Sequence, residues 1–319
     1  MLGRDYFHQL AASVGSVAPL PRPELPFDSR GLSWRQPSSR NHTGEIDPDK
    51  KARPGPGGPA VGNVTQFPNY SIVIPAYNES ARIPATLESV LACVRSHGWN
   101  AEIIVVNDGS SDDTAQVVRE IAKSAPELRL IENPGNRGKG YSVKHGILQA
   151  LGEIVMFTDA DLSSPMEEAE RLFAAIAAGA DIAIGSRWLE STRQTHRQPL
   201  YRQFFGRCFN GVTRAIMRLP FADTQCGFKA FTRHAAQTIF QLQTIERWGF
   251  DPEILFIALK RGFRVVEVPV SWAHDARTRM SYLRDGMTML EELARVRWNA
   301  LTGHYNVKVE HIHRAPQQK

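Results

Sequence analysis

Cysteine is scarce in this sequence, with three in 319 residues: Cys93, Cys208 and Cys226. An odd number without metal-ligand spacing argues against a disulfide framework and against a zinc site, and makes a reducing compartment the default. Long apolar runs are lacking too. No stretch reaches the roughly 18 apolar residues that a spanning helix needs, and residues 1–20 have no basic segment followed by an apolar core. Neither a standard secretion signal nor an integral membrane span is expected. The first 69 residues also lack periodic apolar positions. They hold ten of the 20 prolines and eight of the 24 glycines, including RPGPGGPAVG at 53–62. That bias predicts a disordered tail over residues 1–69.

What is present begins at Tyr70. Apolar, β-branched runs alternate with amphipathic stretches: YSIVI (70–74), a helix near 81–97, EIIVVN (102–107), a helix near 112–124, LRLI (128–131), a helix near 139–151, then EIVMFT (153–158). Strand and helix in turn predict a doubly wound α/β domain with a mostly parallel sheet over 70–302, followed by a flexible tail over 303–319. With 42% hydrophobic and 22% charged residues, such a domain has ordinary globular composition. Ligands bind such sheets at the carboxyl ends of the strands. The polar clusters fall there: PAYNES, NDGSSDDT, NPGNRGKG and DADLSSP follow the four strands in order.

The last cluster carries two acids one residue apart, Asp159 and Asp161. In extended chain, side chains two apart point to the same side, so both carboxylates can converge while Ala160 faces away. Two hard oxygens of that kind suit Mg2+, which takes one or two carboxylates and completes its shell with water and substrate phosphate. A solvated turn has the same composition, and only the agreement of all four clusters favours the ligand. Asp108 can accept from a base or a ribose hydroxyl, and Glu79 could act likewise from the first loop. Ser110, Ser111 and Thr114 read as caps of the following helix. Glycines in GNRGKG allow close backbone approach, with Arg137 and Lys139 as cations for phosphate. The Gly-Lys-Ser/Thr ending of a P-loop is missing.

Between Arg187 and Arg218 stand seven arginines (187, 193, 197, 202, 207, 214 and 218) against one acid, Glu190. Arginine presents a planar fork matched to phosphate oxygens, so this bias favours an anionic acceptor. Phe204, Phe205, Phe209, Val212 and Ile216 in the same stretch could set a basic amphipathic helix into a lipid interface, or serve as core. Residues 284–301 are a second candidate for such an interface helix, with Met287, Leu290, Ala294, Trp298 and Leu301 near one face and Arg295 and Arg297 beside it, although a helix of this kind more often packs on its own domain. Asp223 is a candidate base for a hydroxyl acceptor, or an orienting group for an arginine or a donor sugar. Glu253 reads as a helix-start carboxylate. His145 and His274 read as structural, and Cys226 beside Gly227 as tight packing.

The motifs IVIPAYNE, VVNDGSSDDT, NRGKG, DADLSSP and IGSR resemble, in order and approximate spacing, the family 2 glycosyltransferases with the GT-A fold, over about residues 70–300. DTQCGFKAFTR (223–233), RWGFDPEIL (247–255) and VVEVPVSW (265–272) are most similar to the dolichyl-phosphate β-glucosyltransferases, with the mannosyl-transferring polyprenyl-phosphate enzymes next. The resemblance implies a GT-A type doubly wound, mostly parallel sheet with helices on both faces, plus C-terminal amphipathic helices. It implies a donor side of Pro75, Tyr77, Glu79, Asp108, Lys139, Asp159 and Ala160, with Asp108 on the nucleoside. Asp159 and Asp161 would hold Mg2+ or Mn2+ on the diphosphate. The catalytic set would be Asp161, Asp223, Arg187 and Arg202, the two arginines addressing the acceptor phosphate. Two segments depart from that pattern. The N-terminal membrane helix of the eukaryotic glucosyl enzymes is replaced by the proline-rich tail, and the late Gly-Ser-Lys segment reads ARTRMSYLRD, leaving Arg279 as a cation by position.

The leading expectation is a metal-dependent, inverting transferase that moves a hexose, glucose favoured, from UDP-glucose or GDP-mannose to a polyprenyl phosphate. It would work in the cytoplasm as a peripheral protein on the membrane face, with no nucleic-acid partner. The rivals are transfer to a sugar or lipid hydroxyl with Asp223 as base, and a noncatalytic sugar-nucleotide sensor.

Overall fold

A computed structural model of the chain describes residues 67–189, 194–196, 200–273, 282–307 and 309. The expected tail over 1–69 lies almost wholly outside the described residues, as do Arg279 and His274. No helix among the described residues is long and apolar enough to cross a membrane.

The elements follow the predicted alternation: β1 (Tyr70–Ala76), α1 (Ile83–Ser96), β2 (Ala101–Asn107), α2 (Thr114–Ala122), β3 (Leu128–Glu132), α3 (Lys139–Leu148), β4 (Ile154–Phe157), α4 (Ala169–Ala177) and β5 (Ile182–Ser186). Then come β6 (Gln194–His196), α5 (Leu200–Met217), β7 (Lys229–Thr232), α6 (Arg233–Leu242), α7 (Phe250–Lys260), β8 (Val265–Pro269), β9 (Trp272–Ala273) and α8 (Tyr282–Leu301). Seven strands form one sheet in the order β3-β2-β1-β4-β7-β5-β8, and β6 pairs with β9 separately. All pairs are parallel except those of β7, which runs antiparallel to both β4 and β5. Winding proceeds from β1 outward to β3, then reverses to β4, so the switch point of the sheet lies between β1 and β4, where ligands bind such folds.

Strands covered on both faces need apolar side chains at successive positions, and β1 and β2 supply them. Ile72, Ile74, Ile103 and Val105 face one core layer with Leu87 and Val90 of α1 and Leu172 of α4. Val73, Ile104 and Val106 face the other, with Val143 of α3, Ile239 of α6, Ile254 of α7 and Leu293 of α8. Each strand thus alternates between two buried layers with a period of two.

Two features depart from the sequence reading. The packed domain runs past residue 302: Tyr305 is fully buried and its hydroxyl donates to Glu253 Oε1 at 2.7 Å. The apolar stripe of α8 also points outward. Met289, Leu293 and Val296 form its buried side, whereas Met287, Trp298 and Leu301 are 68%, 66% and 78% exposed.

Candidate active site

β4 ends at Phe157, so Asp159 and Asp161 project from the loop beyond it, as the sequence predicts. The loop closes tightly. Leu162 N donates to Asp159 O at 3.1 Å, and Leu162 takes φ 46°, a left-handed value costly for a residue with a branched side chain. Ala160 is buried, and its carbonyl accepts from Thr86 Oγ1 on α1. Asp161 Oδ1 accepts from Ser163 N at 2.9 Å. Burial, followed by the charge of Asp159, pushes the Asp161 carboxyl above the usual carboxylate range. Two acids that repel each other in a partly desolvated loop are a site that a cation relieves. Lys139, at the start of α3, places Nζ 2.5 Å from Asp159 Oδ1. Burial opposes its charge, but Asp159 and Asp251 outweigh that and hold the ammonium above the ordinary lysine value. No group of three or more acids, histidines or cysteines able to hold a metal occurs among the described residues. Two carboxylates alone would suit an ion such as Mg2+ or Mn2+ only if it took its remaining ligands from water and a diphosphate.

The loops after β1, β2 and β3 are tied to one another. Asn78, at φ 54°, accepts from Ser111 N at 2.8 Å, and Asn78 N donates to Ser110 Oγ at 2.9 Å. Glu79 N donates to Thr114 Oγ1 at 2.8 Å and Ser80 N to Asp112 Oδ2 at 3.1 Å. Burial works against the charge of Asp112, yet these hydrogen bonds and those from Thr114 bring its carboxyl down to about 2. Ser110 and Thr114 therefore join two loops where helix caps were expected, since α2 shows no side-chain cap at its first flanking residue. Glu79 departs as well: both its oxygens pair with Arg82, at 2.6 and 2.7 Å. Tyr77 is exposed, and Pro75 lies within β1.

Asp108 is buried and organises the third loop. Its Oδ1 accepts from Asn133 Nδ2 at 2.7 Å and Arg137 N at 2.9 Å, and its Oδ2 from Gly138 N at 2.8 Å. A Cβ at Gly109, where φ is 68°, would fall 2.4 Å from the Gly135 carbonyl carbon, so only glycine lets these loops meet. Arg137 pairs at 2.6 Å with Glu246, and His145 reaches Asn133 Oδ1 at 2.8 Å.

On the other side of the acid pair, Asp223 is fully buried and accepts a forked pair from Arg187: Nε to Oδ2 at 2.7 Å and Nη2 to Oδ1 at 2.9 Å. Arg187 N adds a third bond at 3.0 Å. Burial would raise the Asp223 carboxyl, but the charge and hydrogen bonds of Arg187 hold it below the usual range, and Arg187 is raised in turn. Both carboxylate oxygens are taken up by Arg187, which favours the orienting role of Asp223 over that of a base. The Arg187 guanidinium lies 5.6 Å from the ring of Trp188 and 5.7 Å from that of Trp272, and Arg207 lies 5.0 Å from Trp188. Arg202 lies on α5, with its side chain outside the described residues.

Sequence reasoning missed the supports of this half. Glu267 on β8 accepts from Ala222 N at 2.8 Å and Asp223 N at 3.0 Å, and Asn210 on α5 accepts from Thr224 Oγ1 at 2.8 Å. Their only signal was an acid in an apolar strand and a polar residue in an amphipathic helix. Glu253 is buried, accepts from Thr244 N, Ile245 N and Tyr305, and is raised chiefly by burial. Burial drives the Cys226 thiol up to about 12, as tight packing implies.

A family model described as glycosyl transferase family 2 matches residues 71–240. A dolichyl-phosphate beta-glucosyltransferase of Trichomonas vaginalis is 40% identical over 221 residues, 66% of this chain and 65% of the relative. The chain thus spans just under two thirds of that relative's length. The corresponding protein of Saccharomyces cerevisiae is 33% identical over 253 residues, 74% of this chain and 76% of the relative. Among solved structures, glucosyl-3-phosphoglycerate synthase from Mycobacterium tuberculosis in complex with Mn2+, UDP-glucose and phosphoglyceric acid is similar in fold. Its TM-score is 0.53 at 20% identity, over 76% of this chain and 81% of that one.

Proposed function

Because the chain belongs to glycosyl transferase family 2, we propose that it transfers a hexose, glucose in the first instance, from a nucleotide sugar to a polyprenyl phosphate of the dolichyl type, in a metal-dependent reaction with inversion. The observation that carries the acceptor class is the state of Asp223. A sugar or lipid hydroxyl must lose a proton to attack, whereas a phosphate monoester arrives as an anion and needs only positioning. Asp223, the candidate base for a hydroxyl, is instead fully buried, with both oxygens locked to Arg187. The dolichyl-phosphate glucosyltransferases among its relatives favour the same acceptor.

In this reading the donor lies over the switch point, with its diphosphate between Asp159, Asp161 and Lys139. A divalent ion held by the two carboxylates, when bound, supplies Lewis-acid stabilisation of the leaving diphosphate, worth several kcal/mol in order of magnitude. Lys139 contributes a fixed positive charge on the same side, and the third loop, shaped by Asp108, offers backbone and ribose contacts. Arg187, framed by Trp188 and Trp272, orients the acceptor phosphate for in-line attack on the anomeric carbon. Inversion follows from a single displacement. Cys226, with its thiol driven to about 12, is no competing nucleophile.

The acceptor's lipid tail calls for a membrane surface. α5 exposes Val212 and Ile216 beside Arg207 and Arg214, and the α8 packed against it exposes Met287, Leu290, Trp298 and Leu301 beside Arg295. Apolar side chains flanked by arginines suit the headgroup region of an anionic bilayer, here the cytoplasmic face of a membrane. Radiolabelled UDP-glucose and GDP-mannose, each incubated with polyprenyl phosphate and Mn2+ and then extracted with solvent, test the assignment. Label is expected in the organic phase from UDP-glucose. Label from neither donor would leave the sensor reading standing, and transfer only to a neutral glycoside or lipid alcohol would contradict the phosphate acceptor.

A further inference from the structure

Beneath the acid pair lies a second ion pair that the transfer reading leaves without a task. Lys229 on β7 is fully buried, and Asp251 in the first turn of α7 nearly so. Lys229 Nζ donates to Asp251 Oδ1 at 2.5 Å and to the Cys226 carbonyl at 2.5 Å. It also stands 5.5 Å from the ring centroid of Phe157, its cross-strand partner at the end of β4. Phe157 leads directly into Thr158 and Asp159. The residue after Cys226 is Gly227, whose backbone lies against Asp159: a Cβ there would fall 2.2 Å from Asp159 Oδ2. On the other flank Phe250, beside Asp251, packs against Gly140 and stands 5.8 Å from Lys139 Nζ.

Charges therefore alternate from the loop into the core: Asp159, Lys139, Asp251, Lys229. Taking an ammonium and a carboxylate fully out of water costs several kcal/mol per ion, and a well-packed apolar pair is commonly as stable or more so. Stability is thus a poor account of this pair, whereas it adjoins both segments that enclose Asp159: Lys229 bonds to the Cys226 carbonyl, and Asp251 follows Phe250, which packs on Gly140. We infer that Lys229 and Asp251 are positioning residues for Asp159. Lys229 anchors the Cys226–Gly227 backbone against the carboxylate, and Asp251, through Phe250 beside it, fixes the place of Lys139 on its other side. The inference rests on the proposed role of Asp159 at the donor diphosphate.

Thermal melts and calorimetric titration with UDP, with and without Mn2+, separate positioning from packing in the full chain. Lys229→Met and Asp251→Leu each leave a buried charge unpaired and should lower the melt. The double variant should recover it, because no unpaired charge remains. It should nonetheless bind UDP in Mn2+ about ten- to a hundredfold more weakly than wild type, the usual cost of removing a support behind a metal ligand. Wild-type Mn2+–UDP affinity in a double variant of restored melt would overturn the positioning role. Should the double variant fail to fold, isosteric Asp251→Asn decides: at least a severalfold loss of Mn2+–UDP affinity is expected, and wild-type affinity overturns the inference. If UDP binding to wild type ignores Mn2+ and Asp159→Asn alike, the metal reading itself fails and takes this inference with it. A Mn2+-responsive wild type beside an unaffected variant overturns the positioning role alone.

Discussion

On the β3-β2-β1-β4 side of the sheet the loops are tied together by many single hydrogen bonds, whereas on the β7-β5-β8 side order comes from a few ion pairs. Asn78, Ser110, Thr114 and Asp108 each fix a neighbouring loop through one to three hydrogen bonds. Arg187 with Asp223 and Lys229 with Asp251 instead bring full charges together, with Asp223 and Lys229 wholly buried. The first arrangement divides rigidity among many small contributions. The second concentrates it, so single changes there should be felt in stability and geometry together, and the helices α5 and α8 on that side still present apolar surface outward.

The sharpest break on the donor side is chemical. Asp161→Asn should cut transfer by about a hundredfold or more and abolish its divalent-ion dependence, while the melt stays near wild type. On the acceptor side the sharpest break is structural. Arg187→Ala leaves buried Asp223 without its cation and should cost about 3–5 kcal/mol in urea unfolding. Donor-side Ser110→Ala, which removes one loop contact, should cost only about 1 kcal/mol; equal losses would erase the contrast. The pH dependence follows the same pair. Asp223 has a depressed carboxyl, so its stabilisation is complete above the unfolded value of about 3.9 and is lost as pH falls through the lower folded value. Between pH 5 and 9 it should add no limb to the pH–rate profile, and Asp223→Asn should remove none. The smallest effect on stability belongs to the outward stripe. Trp298→Ser should change unfolding by no more than about 0.5 kcal/mol, yet weaken cosedimentation with anionic vesicles.

What was legible in the sequence was what local patterns carry. Strand positions, the doubly wound order through β4 and the acid pair were readable because period-two apolar runs and turn residues are local signals. The antiparallel β7 was not, since KAFT has no feature that sets its direction apart. The roles of Glu79 and Asp108 were only half readable: a polar side chain at a strand end is evident, but whether it meets a ligand or a loop depends on bonds such as Asp108 to Gly138 N. Asp223 as an ion-paired anion and the outward face of α8 depended on long-range packing, where a heptad-like stripe cannot say which side is covered.

The central claim is that the acid pair works through a divalent ion on a donor whose sugar goes to a lipid phosphate. The direct measurement is the initial rate of label transfer from UDP-glucose into solvent-extractable polyprenyl phosphate, with chelator titrated in and Mn2+ then restored. Transfer should fall to background in chelator and return with Mn2+ in wild type, with no return in Asp161→Asn. Undiminished transfer by the wild-type protein in excess chelator would contradict it.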